Sequence, residues 1–417
     1  MSQPKKPRAR ILSIGTELTM GRTVDTNSAF LARQLAERGF ETTAHETVAD
    51  DQGAIVQALR RAAEQADVVI VSGGLGPTPD DVTRQALAEA MGAELLLDEA
   101  SLARIEAFFQ RRNRPMPPSN RIQAMVPAGA RPLENTRGTA PGVEATLGEA
   151  RVFVVPGVPY EMEAMFERAV APRLPAGGGV VLHRVVRLFG AGESDFAEML
   201  GELLRDTESL RVGTTVAAGL VSVRIYSRGE TPEQADRLAQ ERTERIRQRL
   251  GEKVLGVGEE ASMESAVGEL LLRTGRSVAT AESCTGGLIG EMLTAVPGAS
   301  RYYLGGVIAY DNRVKMEQLG VPGGVLQEHG AVSEPTALAM AQAVRERLGA
   351  EYGLATTGIA GPDGGTAEKP VGLVYTALAG PKGASAARHL LPGDRAMVRL
   401  RSALAALNML RLELLHA

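Results

Sequence analysis

Short apolar runs alternate with helix-period patterns along residues 10–170. The run 10–15, RILSIG, reads as a strand, and a loop leads from it to Asp25, placed to cap a helix in which Leu31 and Leu35 recur at helical spacing. Residues 41–48 read as a strand, 54–66 as a helix and 67–74, DVVIVSGG, as a buried strand ending in glycines. Such alternation predicts a mostly parallel sheet covered by helices on both faces.

The pattern breaks at 171–179, APRLPAGGG, where proline and glycine punctuate the chain. Strand-like stretches at 180–190 and 219–229, with helical ones at 194–206 and 232–251, predict a small α+β insert. From 262 the alternation resumes: helix 262–273, strand 276–281, helix from about 284, strand 303–309, helix 334–348, strands 352–357 and 371–379, and a long helix 394–415. The expected organisation is three units, 1–170, 171–257 and 258–417, with α/β architecture at both ends. No short-period repeat or low-complexity tract is present.

Composition narrows the chemistry. At 417 residues the chain exceeds one ordinary domain, and 44% apolar with 23% charged residues is a globular balance. Aromatic content of 4% leaves the cores to aliphatic residues and methionine. A net charge of −4 argues against bulk attraction to nucleic acid. The basic opening MSQPKKPRAR reads as a frayed tail. No run approaches the roughly 20 apolar residues that a membrane helix needs. The single cysteine excludes an intramolecular disulfide or a multi-cysteine metal site, and His45, His183, His329, His389 and His416 lack ligand spacing. A cytoplasmic protein without a zinc site is expected, its chemistry left to hydroxyls, carboxylates, amines or a phosphate-bound cation.

The candidates cluster after strands. In SGGLGPTPDDVT, 72–83, the backbone N–H groups of Gly73, Gly74 and Gly76 can approach phosphate oxygens, and Asp80 and Asp81 can hold a magnesium-like cation. Capping of a helix 82–91 by either aspartate is the alternative. The loop 15–28 adds Glu17, Asp25 and Asn27, singly readable as caps or turn residues.

In ATAESCTGGLIGEML, 279–293, Ser283 stands on a strand-to-helix turn beside Gly286 and Gly287. Unpaired N–H groups from about Thr285 to Gly287 are suited to an oxyanion or a phosphate. An N-cap with relieving glycines is the alternative. A serine hydroxyl needs a base, and Lys315, near Tyr310 at the end of another strand, can serve if its pKa is lowered; helical lysines are ordinarily solvated. Cys284, without a basic partner, is expected to pack. Arg395, with Arg399 one turn on, suits a phosphate or a surface ion pair.

Two ordered sets of motifs carry a family resemblance. Gly15-Thr16-Glu17, Asp25-Thr26-Asn27-Ser28, the stretch Gly73 to Thr78 with Asp80-Asp81-Val82-Thr83, Gly138-Thr139-Ala140-Pro141-Gly142 and Pro156-Gly157-Val158-Pro159 resemble the amino-terminal domain of the CinA (competence/damage-inducible) family. That domain is similar to the molybdopterin-binding fold of MogA and MoaB. Ala281 to Gly287, Tyr310 with Lys315, His329 to Ser333, Gly358 to Gly365 and Pro392 to Arg395 resemble the carboxyl-terminal CinA domain, which occurs alone as the NMN (nicotinamide mononucleotide) deamidase PncC.

The resemblance implies two three-layer α/β domains joined by a small α+β KH-like domain, and a homodimer. It implies hydrolysis of NMN to nicotinic acid mononucleotide and ammonia, with Ser283 as nucleophile, Lys315 as base, and Tyr310, Thr285 and Arg395 around the substrate. The glycine loops, including Gly286, Gly287, Gly358 and Gly361, would contact substrate. For the first domain it implies an ADP-ribose pyrophosphatase with a divalent cation on Asp80 and Asp81; Gly73, Gly74, Gly76, Thr78, Glu17 and Asn27 would contact the substrate. The same fold also hosts molybdopterin binding, and the family's competence-related name raises a nucleic-acid role. Residues 171–257 contain no Gly-x-x-Gly clamp, and their thirteen Lys/Arg meet twelve Asp/Glu. A spacer or dimerisation element is therefore expected there.

Overall fold

The structure is a computed structural model that describes residues 7–175 and 177–417. The chain packs as two compact units, Met1–His183 with Ser227–Leu238, and Arg184–Tyr226 with Ala239–Ala417.

The first unit holds a six-stranded sheet in the order Glu41–Val48, Arg8–Ile14, Val68–Ser72, Ala150–Val155, Gly142–Leu147, Arg131–Leu133. The first four strands are parallel, and the last two are antiparallel additions. Period-two alternation divides the strands between two cores. Leu12, Ile14, Val69, Val71, Val152 and Val154 face Ile55, Leu59 and Leu87 of the helices Gln52–Gln65 and Thr83–Met91. Ile11, Val68, Ile70, Phe153 and Val155 face Leu31, Leu35 and Met162 of the helices Thr26–Glu37 and Pro159–Met165. The frayed tail expected over 1–10 gives way at Arg8, which opens a strand paired on both sides; residues 1–6 lie outside the described residues.

In the second unit, a five-stranded sheet runs Tyr303–Ile308, Val278–Glu282, Tyr352–Gly358, Leu373–Gly380, Gly383–Leu390. Val278, Leu354 and Leu378 pack beneath Leu271, Leu407 and Leu410 of the helices Met263–Thr274 and Arg395–Leu415. Ala279, Ala281, Ala355, Ala377 and Ala379 pack against the helix Glu334–Leu348. Small residues let that helix approach closely: a Cβ on Gly353 would lie 2.1 Å from Ala341 O.

A four-stranded sheet has the order Leu210–Ala217, Leu220–Gly229, Val180–Leu188, Val254–Val257. Its first and last strands, and Gly383–Leu390, escape the sequence pattern. Leu210–Ala217 and Gly383–Leu390 are largely exposed edge strands without an apolar run, and Val254–Val257 is only four residues long. The helix expected from about 284 begins at Leu288 instead, because Gly286 and Gly287 sit at positive φ. No helix among the described residues is long and apolar enough to cross a membrane.

Candidate active site

Val278–Glu282 runs parallel to both its neighbours, Tyr303–Ile308 and Tyr352–Gly358, so three strand ends meet where it stops. Ser283 follows at once; it is 8% exposed, and its N–H donates to Thr356 O at 3.0 Å. Lys315 arrives from the short helix Asn312–Glu317, capped by Asp311 through the N–H of Arg313. Far from being a solvated surface lysine, it is 1% exposed. Its Nζ lies 3.3 Å from Ser283 Oγ, 2.8 Å from Ala309 O and 3.1 Å from Tyr310 O. Burial lowers its pKa, while the charge of Asp311 acts to raise it.

The three contacts of Nζ differ in kind. Carbonyl oxygens only accept, so Ala309 and Tyr310 take N–H groups from Nζ. A neutral amine has two N–H bonds and one lone pair. With both N–H groups so engaged, the lone pair is left for the Ser283 hydroxyl proton.

Tyr310 is 59% exposed, and its hydroxyl accepts from Arg395 at 2.9 Å. Arg395 also donates to Gly361 O at 2.8 Å, which links three of the expected substrate residues at one rim. Thr285 is fully buried, with its Oγ1 2.7 Å from Thr356 Oγ1, so its hydroxyl ties the turn to the neighbouring strand. A Cβ on Gly358 would lie 2.6 Å from Val374, which gives that glycine a packing reason.

The oxyanion donors expected over 285–287 need correction. The Glu282 carboxylate accepts from the N–H groups of Gly287, Ile289 and Gly290 at 2.9, 3.1 and 2.9 Å. Gly286 N–H donates to Ser283 O at 3.1 Å. The N–H groups of Cys284 and Thr285 have no oxygen acceptor among the described residues; they lie against the Cys284 sulfur, a weak acceptor, and are the donors the turn can still offer. The Cys284 side chain packs with Ala360, Val374 and Val398, and burial pushes its thiol up to about 11.

In the first unit, the Gly73–Thr78 loop borders a cavity of about 620 Å³, lined also by Glu17, Asp50, Asp80, Asp81, Gly157 and Glu161. Gly73 N–H donates to Val155 O and Gly76 N–H to Asp81 Oδ1, so Gly74 alone of these three glycines keeps its N–H clear of the loop's own bonds. Asp81 Oδ2 accepts from the N–H of Thr78 at 2.9 Å and from its hydroxyl. Asp81 is therefore a clamp on its own loop, and the helix Thr83–Met91 starts with no side-chain cap. Asn27 spends its amide on Ser72 Oγ at 2.9 Å and Gly157 O at 2.8 Å.

On the other side of this loop lies Arg84, 1% exposed, donating to Leu75 O and, at 3.4 Å, to Gly76 O. Burial pushes its guanidinium down to about 10, against the attraction of Asp81. The loop is thus gripped by a cation on one side and a carboxylate on the other.

Comparison with known proteins agrees with this architecture. Residues 10–176 match the probable molybdopterin binding domain, 183–256 the damage-inducible protein CinA KH domain, and 260–414 the CinA C-terminal domain. A CinA-like protein of Gloeobacter violaceus is 45% identical over 417 residues, covering 98% of this chain and 97% of its own. One of Dictyoglomus thermophilum is 41% identical over 410 residues, covering 98% and 100%. This chain belongs to the CinA family.

Among solved CinA structures, that of the protein CinA with unknown function from Thermoplasma acidophilum is 37% identical, covers 40% of this chain and 98% of its own, and has a TM-score of 0.38. The protein CihA from Agrobacterium tumefaciens is 40% identical, covers 36% and 93%, and has a TM-score of 0.36.

The molybdopterin-binding-like domain of this CinA member offers hard oxygen donors around its cavity, the kind a magnesium ion takes. Among the described residues no three His, Cys, Asp or Glu side chains converge to hold an ion by themselves. Magnesium commonly uses one or two carboxylates plus substrate phosphates, so the donor set fits a cation that arrives with a diphosphate. With Asp81 engaged by the loop, Asp80, which is exposed, is the freer carboxylate of the pair.

Two residues of this CinA chain, Glu282 and Arg84, escape sequence reasoning, and Arg399 takes a role other than the one expected of it. Glu282 carries the signal of an acid closing an apolar strand before a glycine-rich helix start, where unpaired N–H groups need an acceptor. Arg399, expected to meet a phosphate or a surface ion pair, instead donates to Thr285 O from Nε at 3.3 Å and from its terminal nitrogen at 2.7 Å, fastening the turn after Ser283. Arg84 gives no signal at all, since buried arginines are rare.

Proposed function

We propose that the carboxyl-terminal domain hydrolyses the carboxamide of nicotinamide mononucleotide through Ser283 and Lys315. The observation that carries this reading is the 3.3 Å approach of a buried lysine to the serine hydroxyl, with two carbonyls fixing the amine's N–H groups. Neutral Lys315 takes the Ser283 proton as Oγ bonds to the carboxamide carbon. The N–H groups of Cys284 and Thr285 hold the oxyanion. Collapse of that intermediate breaks the C–N bond, and Lys315 returns the proton to the leaving ammonia. Water then attacks the acyl-serine, giving Lys315 a proton that passes back to Ser283 Oγ, and nicotinic acid mononucleotide departs. Tyr310 and Arg395 orient the nucleotide at the rim, where the arginine suits its phosphate.

We further propose that the amino-terminal domain cleaves ADP-ribose to AMP and ribose 5-phosphate. The supporting observation is the clamped glycine loop beside a carboxylate-lined cavity at the strand ends. When bound, a divalent cation on Asp80 would neutralise diphosphate charge; Gly74 N–H and the rigid loop position the phosphates. A phosphorylated pterin is the competing ligand, favoured by the domain match at 10–176.

The deciding experiment incubates the purified full-length protein with each substrate, with and without a chelator, and identifies the products. Deamidation of NMN that survives chelation, and chelator-sensitive release of AMP from ADP-ribose, are expected. Absence of nicotinic acid mononucleotide would remove the first reading. Tight pterin binding with no AMP release would replace the second.

A further inference from the structure

A second cavity in the first unit, of about 380 Å³, opens between the helix Glu99–Gln110 and the loop 134–141. Arg104, Phe108 and Arg111 line one side, and Asn135, Gly138 and Thr139 the other. Its volume lies within the range of small-ligand pockets.

This cavity abuts the one at the glycine loop. Thr139 lines both. Asn135 donates to Glu161 Oε2 at 2.6 Å, and Glu161 lines the neighbouring cavity. Gly138 presses against the same carboxylate: a Cβ there would lie 2.0 Å from Glu161 Oε2.

The lining chemistry differs between the two. At the glycine loop the side chains are carboxylates suited to a cation. In the second cavity an aromatic ring stands between arginines, and Glu134 is the one carboxylate residue in its lining. The Arg112 guanidinium lies 3.6 Å from the centre of the Phe108 ring and holds its orientation. Arg104 donates to Ser101 Oγ at 3.0 Å and lies 3.9 Å from Asp98, which fixes its reach. A preoriented aromatic ring with planar guanidinium groups is the surface on which a nucleobase stacks.

We propose that this cavity seats the nucleoside end of the diphosphate substrate, its base against Phe108 and its sugar-phosphate beside Arg104 and Arg111. The proposal rests on the ADP-ribose reading for its substrate class. A diphosphate held at Gly74 then spans the two cavities at Thr139, and the ribose 5-phosphate end stays in the larger cavity. Selectivity between nucleotide diphosphates is set by residues about the helix 99–110, away from the cation.

The test titrates AMP and, separately, ribose 5-phosphate into the full chain and into Phe108→Ala, Phe108→Tyr and Arg111→Gln variants by calorimetry. Phe108→Ala should weaken AMP about tenfold, or about 1.4 kcal/mol, and leave ribose 5-phosphate unchanged. Phe108→Tyr should restore AMP affinity, which separates stacking from misfolding. Arg111→Gln should weaken AMP as well. In ADP-ribose hydrolysis the Phe108→Ala loss should fall on KM, with kcat within about twofold. Undetectable AMP binding by the unaltered protein, unchanged AMP affinity in Phe108→Ala, or equal losses for both ligands would overturn the assignment. AMP binding that depends on Phe108 without ADP-ribose cleavage would keep the subsite and remove the pyrophosphatase reading.

Discussion

Glu282 Oε2 accepts the N–H of Gly287 at 2.9 Å, so the residue before Ser283 occupies a helix-start donor that would otherwise be open. That carboxylate, 2% exposed, also accepts from Ile289 and Gly290. Glu282→Gln places an amide NH₂ against N–H donors and leaves one of them unsatisfied. A loss of about 1–3 kcal/mol is expected, with reduced NMN deamidation, read by thermal melting and initial rates. Unchanged melting would show that the carboxylate does not hold the turn.

Lys315 must be neutral to act as base, and its pKa is lowered by burial while Asp311 opposes the shift. Deamidation should therefore rise with pH as Lys315 loses its proton, with a midpoint below 10.5. Asp311→Asn keeps a capping oxygen but removes the charge, and should move this midpoint to lower pH. Ser283→Ala and Lys315→Arg should each lower kcat by at least about 100-fold, because arginine stays charged. A midpoint that ignores Asp311 would detach Lys315 from the profile.

Cys284 is expected to be a spectator. Its thiol, pushed up to about 11 from 9.0, stays protonated and buried at neutral pH. Iodoacetamide should leave folded protein active, and Cys284→Ala should retain deamidation within a few-fold. Because the folded pKa is raised, the thiol's contribution to stability is complete below about pH 9 and is lost as pH rises through about 11. Equilibrium unfolding across that window checks the sign; a gain in the Cys284→Ala difference above pH 9 would contradict it.

Asp80 and Asp81 should separate on mutation. Asp81→Asn disturbs the bonds to Gly76 and Thr78, so both melting temperature and ADP-ribose cleavage should fall. Asp80→Asn should remove cation-dependent cleavage with little change in melting. Equal destabilisation by both would return Asp80 to a structural role.

Arg84→Met removes the donor to Leu75 O and Gly76 O beneath the loop. ADP-ribose cleavage should drop and the first unit should lose about 1–3 kcal/mol, while NMN deamidation persists. Arg84→Lys should recover part of both. Loss of both activities together would mean global unfolding rather than a loop effect.

Much of this was legible in the chain. Runs such as 68–71 and 278–281 specify strands because their mostly apolar residues must be buried, and glycines and hydroxyls beyond their ends mark where ligands gather. Ser283, Lys315, Tyr310 and Arg395 carry side chains whose chemistry is readable wherever they lie. Local pattern also set the long helices, whose caps, Asp25 and Asp394, are adjacent in sequence.

What the chain alone left undecided was every property that depends on a neighbour distant in sequence. A lysine on a six-residue helix is a surface residue until Ala309, Tyr310 and Ser283 close around it, and only that burial lowers its pKa. Likewise Asp81 and Glu282 are acids near glycines in either account. Only folding of the loop and of the helix start fixed which N–H groups they occupy, and thereby which donors remain for a substrate. The physical reason is that residue type and local spacing are written along the chain, whereas desolvation and hydrogen-bond competition arise when separate segments meet.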